Sequence, residues 1–421
     1  MKIFVLAVPH TITSTAFTSC AFSQKVRNLC AMMHRAGHHV VHLGVEGSQV
    51  ECTEHVDVAS AAEWSHFYSN PGTKPYELKC DGKFRPYHQR WAKRAKLAIL
   101  ERCDNDREAI VCVTYGGTQW EAVKGVDQFI VESGIGYPKA YAEWRVYESY
   151  AWLHTHVGME GLQNCPKWYW PVIPNAFDLE MFTYNEKRGE DFLFIGRLNE
   201  DKGVRIAIES AKRAGRKITI AGQGDPAPFL AGNPHASYVG VVDVEGRRKL
   251  LSECKAVFCP SWYHEPFCGV SIEAQISGAP VICTDWGAFP ENVVHGVTGY
   301  RCRTMDHFTW AAKKIDAIDP QACRDWAKAN FSLERIAPMY TEYFESVLKT
   351  RDRGTDWNAE NAERTELDWL RKQYPTSLEF AGNLSELAPN EKQQNAADET
   401  AQRQQLESFC ASRGMKQVAT N

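Results

Sequence analysis

The run KIFVLAV at residues 2–8 is apolar after its first residue and too short to form a helix of its own. Such a run reads as a strand buried on both faces. A loop of small polar residues follows. QKVRNLCAMMHRAG (24–37) then places Val26, Leu29, Cys30 and Met33 on one helical stripe, with Gly37 as its stop. HHVVHLG returns as a second strand. A strand, a helix and a strand in this order close as a right-handed crossover between parallel strands. Parallel sheets need helices over both faces, which removes sandwiches, antiparallel barrels and pure helical bundles for this half of the chain. Further strands are expected at AIVCVTY (109–115) and QFIVES (128–133), and a helix or strand–helix edge at YESYAWLHTHVG.

The same grammar restarts downstream. DFLFIGRL, GVRIAIESAKRAG and KITIAG read as strand, helix and strand, and ASYVGVV, EGRRKLLSEC, KAVFCP and PVICTD continue the alternation. WYWPVIPNAFD, rich in proline, is the expected crossing between the two halves. The fold class expected is α/β: two doubly wound, Rossmann-like domains facing a central cleft. The expected boundaries are 1–171 for the first domain and 172–345 for the second, then a helical extension packing back over 346–374 and a polar tail over 375–421. Doubly wound domains bind ligands beyond the C-terminal ends of their strands, so two that face each other share one cleft.

Composition narrows the function classes. A formal net charge of −4 gives no global pull toward nucleic acid or an anionic membrane. The 14 cysteines contain no C-x-x-C pair and no metal-like Cys/His spacing, which suits reduced thiols and a cytoplasmic protein. The first residues lack the longer apolar core of a signal peptide. No stretch approaches the roughly 20 apolar residues of a spanning helix.

Three stretches carry chemistry. In SWYHEPFCGVSIEAQISGAPVICTD (261–285), Glu265 sits in the loop after a buried strand. Glu273 sits about one and a half turns into an apolar helix over roughly 268–277. The helix N-terminus offers unpaired N–H groups to a phosphate or sugar oxygen. A buried Glu273 needs hydrogen-bond partners, which ligand hydroxyls or a nearby Arg or Lys could supply. In FIGRLNEDKG, Arg197 and Lys202 follow Gly196 at a strand end. The two cations suit a diphosphate, the alternative being a solvated basic loop. In IAGQGD, Gly222 and Gly224 would let backbone approach a flat ligand. The absence of G-x-G-x-x-G opening a helix argues against a dehydrogenase.

Taken in order, VIPNAFD, GRLNEDKG, IAGQGD and CPSWYHEPFCGVSIEAQISGAPVICTDWGAFPENV resemble the retaining, nucleotide-sugar-dependent glycosyltransferases of GT-B fold known as family 4 or group 1. The resemblance is strongest over 172–300, weaker over 1–171, and leaves out the tail. It implies that Arg197 and Lys202 hold the donor diphosphate, that Glu273 binds the donor ribose, and that Glu265 contacts the transferred sugar. Backbone near Phe267, Cys268 and Gly269 would reach sugar or phosphate oxygens, with His264 lining the loop. It implies no cofactor and no metal, the cations neutralising the leaving group. Cys268 departs from the pattern, which has glycine there. In the first half, VTYGGTQ and VESGIGYPKAYAEWRVYESYAWLH resemble cleft-facing loops of a viral and bacterial subgroup. Glu132 is then a candidate contact to acceptor or sugar, or a loop cap, and Tyr115, Gly116 and Tyr137 are acceptor-side candidates. His154 and His156 cannot share a helix face and do not read as metal ligands.

The resemblance implies transfer from a nucleotide diphosphate sugar, a UDP-sugar foremost, to an acceptor hydroxyl with retention by same-face displacement. A saccharide or lipid-linked sugar is the usual acceptor. The sharper alternative is a hydroxymethylated base in phage-type DNA. KPYELKCDGKFRPYHQRWAKRAKLAILERCDNDR (74–107) prompts it, with ten Lys/Arg against five acids and Phe84, Tyr87 and Trp91 interleaved. The plainer reading of that stretch is the solvated face of an amphipathic helix. A non-catalytic nucleotide-sugar binder and a sugar epimerase complete the alternatives.

Overall fold

The computed structural model describes residues 1–353, apart from 18–19, 69–84, 104–107, 165, 166, 168 and 231. The expectations for residues 354–374, for the tail and for 74–84, including Phe84, lie outside the described residues.

Two six-stranded sheets organise the chain. The first holds β1 (Lys2–Leu6), β2 (His39–Val45), β3 (Glu54–Ala59), β4 (Ala109–Val113), β5 (Phe129–Ile135) and β6 (Trp144–Tyr147). The second holds β7 (Phe192–Ile195), β8 (Ile218–Ala221), β9 (Ala236–Tyr238), β10 (Val257–Cys259), β11 (Val281–Thr284) and β12 (Gly299–Cys302). The first sheet is ordered β3-β2-β1-β4-β5-β6. The second, read in the same sense, is β9-β8-β7-β10-β11-β12. Every strand pair is parallel. Both sheets are therefore doubly wound, with order reversing between β1 and β4 and again between β7 and β10.

Side-chain alternation decides which face each strand residue covers. Ile3 and Val5 of β1 join the core under helix Ala21–Arg35, whose Val26, Leu29, Cys30 and Met33 point inward as their spacing predicts. Phe4 and Leu6 join the opposite core with Trp64, Tyr87 and Trp91. In the second sheet Phe192 and Phe194 pack on helix Val204–Arg213, while Leu193 and Ile195 pack towards helix Gly269–Ile276.

The chain crosses between the lobes twice, side by side. Phe177 N donates to the carbonyl of Phe331 at 2.8 Å, and Phe177 and Ser332 form an isolated parallel bridge. Helix Leu333–Arg353 then packs on the first sheet: Leu333, Ile336, Tyr340, Phe344 and Val347 belong to its core. The sequence boundary at 345 put all of these but Val347 with the second domain. Their apolar stripe belongs with the first sheet instead, because the return crossing at 331–333 delivers the helix there. Among the described residues no helix is long and apolar enough to cross a membrane.

Candidate functional site

Where β7 and β10 part company, the loops that follow them leave in opposite directions and open a crevice. The β7 loop carries Gly196, Arg197 and Lys202, and the β10 loop carries Ser261, Tyr263 and Glu265. Glu265 is only 2% exposed. Its carboxylate accepts from Lys202 Nζ at 2.6 Å, from Ser261 Oγ and from the Tyr263 hydroxyl, while Lys202 Nζ also donates to Tyr263 OH at 3.0 Å. Burial alone would lower the Lys202 ammonium pKa; the Glu265 carboxylate, Cys268 and Tyr263 outweigh it and push the pKa well above its ordinary value. Lys202 thus keeps its charged form beside Glu265. The sequence assigned Lys202 and Glu265 separate ligand contacts; the structure brings them together as one buried ion pair. Arg197 is exposed and, among the described residues, unpaired.

Glu273 lies on helix Gly269–Ile276 and pairs with Arg247, which donates from both Nε, at 2.6 Å, and its terminal nitrogen. This is the ion-pair alternative for Glu273. It does not close the residue off. Glu273 lines an interlobe pocket with Arg247 and Arg248 of helix Val244–Glu253, Arg27 and Asn28 of helix Ala21–Arg35, and Asp178. Burial lowers the pKa of the Arg27 guanidinium there, Asp178 opposing that shift.

The glycines of IAGQGD have a packing reason. Gly222 sits at φ 137°, where a Cβ would fall 1.8 Å from the Gly196 carbonyl oxygen. A Cβ on Gly224 would fall 2.8 Å from that of Leu198. Leu198 N donates to the Gln223 carbonyl at 2.7 Å. The β7 and β8 loops are zipped face to face, and these two glycines serve that contact of loop against loop. Cys268, standing where the family pattern has glycine, caps helix Gly269–Ile276 at φ 67°. Among the described residues it is the only non-glycine with positive φ. The helix entry itself therefore demands the left-handed backbone that glycine adopts without strain. Phe267 is a core residue, stacked on Phe177 and edge-on to Phe331. His264 faces the first lobe, its Nε2 lying 3.2 Å from Thr155 Oγ1 and 3.3 Å from the Ala151 carbonyl oxygen.

In the first lobe Glu132 is corrected from a ligand contact to a loop cap. Fully buried, it accepts from Tyr137 OH, Tyr141 N and Ala142 N at 2.8, 2.8 and 3.0 Å. Burial raises its pKa, with the three hydrogen bonds opposing. Tyr115, Gly116 and Tyr137 do converge at the β1/β4 reversal. The Phe22 ring lies 5.1 Å from that of Tyr115 and 5.9 Å from that of Tyr137, and His10 lies 4.8 Å from Tyr115. Lys25 covers Phe22 and pairs with the buried Glu148. His10, Phe22, Lys25, Arg247 and Tyr263 escaped the sequence reading. None stands in a spacing that marks it, and only the folded loops bring them in.

The described part of the basic stretch, 85–103, is an amphipathic helix with a solvated face. In helix Arg85–Cys103, Tyr87 and Trp91 are buried, so the described stacking partners point inward. Arg90 and Arg94 are spent on Glu63, and Arg102 on Glu54. The described part of the stretch gives no support to DNA as acceptor. Among the described residues no three His, Cys, Asp or Glu side chains are grouped to hold a metal ion.

Residues 189–319 match the family model described as glycosyl transferases group 1. The chain is similar to the glycogen synthase of Mycobacterium tuberculosis, 26% identical over 357 residues, 72% of this chain and 84% of that protein. Among solved structures it is similar to AviGT4, a glycosyltransferase involved in avilamycin A biosynthesis. The TM-score is 0.63 at 20% identity, covering 83% of this chain and 98% of that one. It is also similar to Anabaena HepE solved with UDP and glucose. There the TM-score is 0.58 at 14% identity, covering 82% of this chain and all of the other. At these identities the structural likeness establishes the fold, which is GT-B.

Proposed function

Taking the group 1 glycosyl transferase domain as premise, we propose that this chain moves a sugar from a nucleoside diphosphate sugar to an acceptor hydroxyl, with retention of configuration. The observation that carries this is the pair of cations after β7, at the strand-order reversal. Arg197 is exposed and unpaired among the described residues, and Lys202 is held charged beside Glu265. As the bond to the sugar breaks, charge accumulates on the leaving diphosphate. Two cations beside the leaving group stabilise that charge more than they stabilise the bound donor. Arg197 offers a two-pronged fork to the phosphates and Lys202 a point charge. Glu273, turned toward the interlobe pocket, takes ribose hydroxyls in exchange for part of its contact with Arg247. The HepE complex with UDP and glucose supports uridine as the nucleotide. No metal enters this scheme, because the cations do that work. A saccharide hydroxyl is the acceptor that suits it.

The test is nucleotide release from a panel of nucleotide sugars, with the product's anomeric configuration read by NMR. Arg197→Ala lowers kcat about a hundredfold or more, as expected for a group that acts on transition-state charge. Turnover unchanged in Arg197→Ala and Glu273→Ala together would sink the assignment. Excess chelator leaves the rate where it was.

A further inference from the structure

Glu265 is flanked by two residues that reach across to the other lobe. The Pro266 carbonyl accepts from Ser149 Oγ at 2.6 Å, and His264 stacks on Trp152 beside the Ala151 carbonyl. Ser149 is the N-cap of helix Tyr150–Met159, its Oγ also accepting from Trp152 N. The first two N–H groups of that helix are taken by Glu291, a second-lobe residue: Tyr150 N donates to Oε2 at 2.8 Å and Ala151 N to Oε1 at 2.9 Å. A carboxylate on two free N–H groups at a helix start is a charge-assisted contact reinforced by the helix dipole. Glu291 lies in the short turn Phe289–Asn292, which also grips the Glu265 loop from its own side. Ala288 N donates to the Glu265 carbonyl at 3.0 Å, and the Asn292 side-chain amide donates to the carbonyl of Phe267. A Cβ on Gly287 would fall 2.8 Å from Glu265 N, so the two segments run in direct backbone contact.

We propose that Glu291, Ser149 and His264 form an interlobe clamp that positions Glu265, so that the second lobe's carboxylate is seated only while it holds the start of a first-lobe helix. The clamp residues are positioning residues: none touches the crevice cations, and they act through the backbone of 264–267. This rests on the glycosyl-transfer reading for its kinetic consequence but not for its structural one. Nucleotide binding draws on Arg197 and Glu273, outside the clamp, and on Lys202, which touches it only through its ion pair with Glu265. Loosening the clamp lowers the rate of transfer more than it lowers nucleotide affinity.

The experiment uses the full chain and the variants Glu291→Gln, Glu291→Asp and Ser149→Ala. Glu291→Gln keeps the shape but turns an amide N–H toward N–H donors. Hydrogen exchange of peptides spanning 261–268 is expected to quicken in Glu291→Gln and Ser149→Ala and to return toward wild type in Glu291→Asp. UDP affinity by calorimetry stays within about threefold. With UDP-glucose or the best donor of the panel, kcat falls about tenfold in Glu291→Gln while donor KM holds, and combining Glu291→Gln with Ser149→Ala adds little to the single change. Unchanged exchange over 261–268 in both variants overturns the clamp. So does a loss of UDP affinity matching the loss of rate, which would mark general damage. Quickened exchange in a protein whose wild type releases nucleotide from no donor upholds the clamp and overturns the glycosyl-transfer reading instead.

Discussion

Cys268 shows how one residue registers a backbone demand. The left-handed entry to helix Gly269–Ile276 costs a side-chain-bearing residue about 1–2 kcal/mol. The neighbouring Gly269 does not relieve it, since its own φ is not positive. Cys268 recovers part of that cost by packing against the core of Val257, Cys259 and Ala274. Cys268→Gly is therefore expected to hold or slightly raise the melting temperature. The β-branched Cys268→Val is expected to lose about 2 kcal/mol, checked by denaturant unfolding. Glu265 and Glu273 make a second residue-scale point. The sequence showed that both carboxylates needed partners. It could not say which, because Lys202 stands 63 positions from Glu265 and Arg247 stands 26 from Glu273. Between the two alternatives weighed for Glu273, the structure supplies the ion pair and keeps the residue at the pocket wall.

At the scale of elements, legibility followed periodicity. Helix Ala21–Arg35 and strands β1, β2, β4, β7, β8 and β10 were plain in the sequence, since long stripes and unbroken apolar runs dominate their composition. β3 was not: EHVDVA is a sheet-edge strand whose first residues stay half-buried, so its apolar signal is thin. β6, WRVY, carries an arginine that breaks its apolar run. The zipped β7 and β8 loops carry an element-scale prediction. Gly222→Ala meets both a strained φ and the Gly196 carbonyl oxygen. It should destabilise the second lobe by about 3 kcal/mol, seen as a lower unfolding midpoint, while leaving the first lobe's exchange-protected amides unchanged. Helix Arg85–Cys103 shows the limit of composition. Basic and aromatic residues interleave in its sequence, yet at helical spacing Tyr87 and Trp91 turn to the core, Arg90 and Arg94 turn to Glu63, and Arg102 turns to Glu54.

At the scale of the whole molecule, the first lobe carries an acid liability. Burial, with His88 adding, lowers the pKa of His10 to about 3. Burial, with His55 adding, does the same for His42. In the unfolded chain both titrate near 6.5. Between those values the folded state binds fewer protons than the unfolded one, so stability is complete above pH 6.5 and falls as pH drops toward 3. Glu132, raised by burial, works in the opposite sense near the carboxylate range, so the histidines show most clearly between about pH 7 and 5. Unfolding free energy measured across that window should decline for the wild type. The decline should be shallower for His42→Gln. An equal slope in both would remove His42 from the account.

Taken alone, the sequence determined the fold class, the two-sheet plan, the order of the loops and the identity of the charged residues at strand ends. These follow from local patterns: strand alternation, helical stripes and the handedness of parallel crossovers. Only the tertiary structure decided which charges meet, that Gly222 and Gly224 serve a loop, that Glu132 caps another, and that residues 333–347 return to the first sheet. The physical reason is separation. A period of two or 3.6 residues is written within a dozen positions. The pairing of His264 with Thr155, or of Glu291 with the start of helix Tyr150–Met159, spans more than a hundred and depends on how two sheets are set against each other.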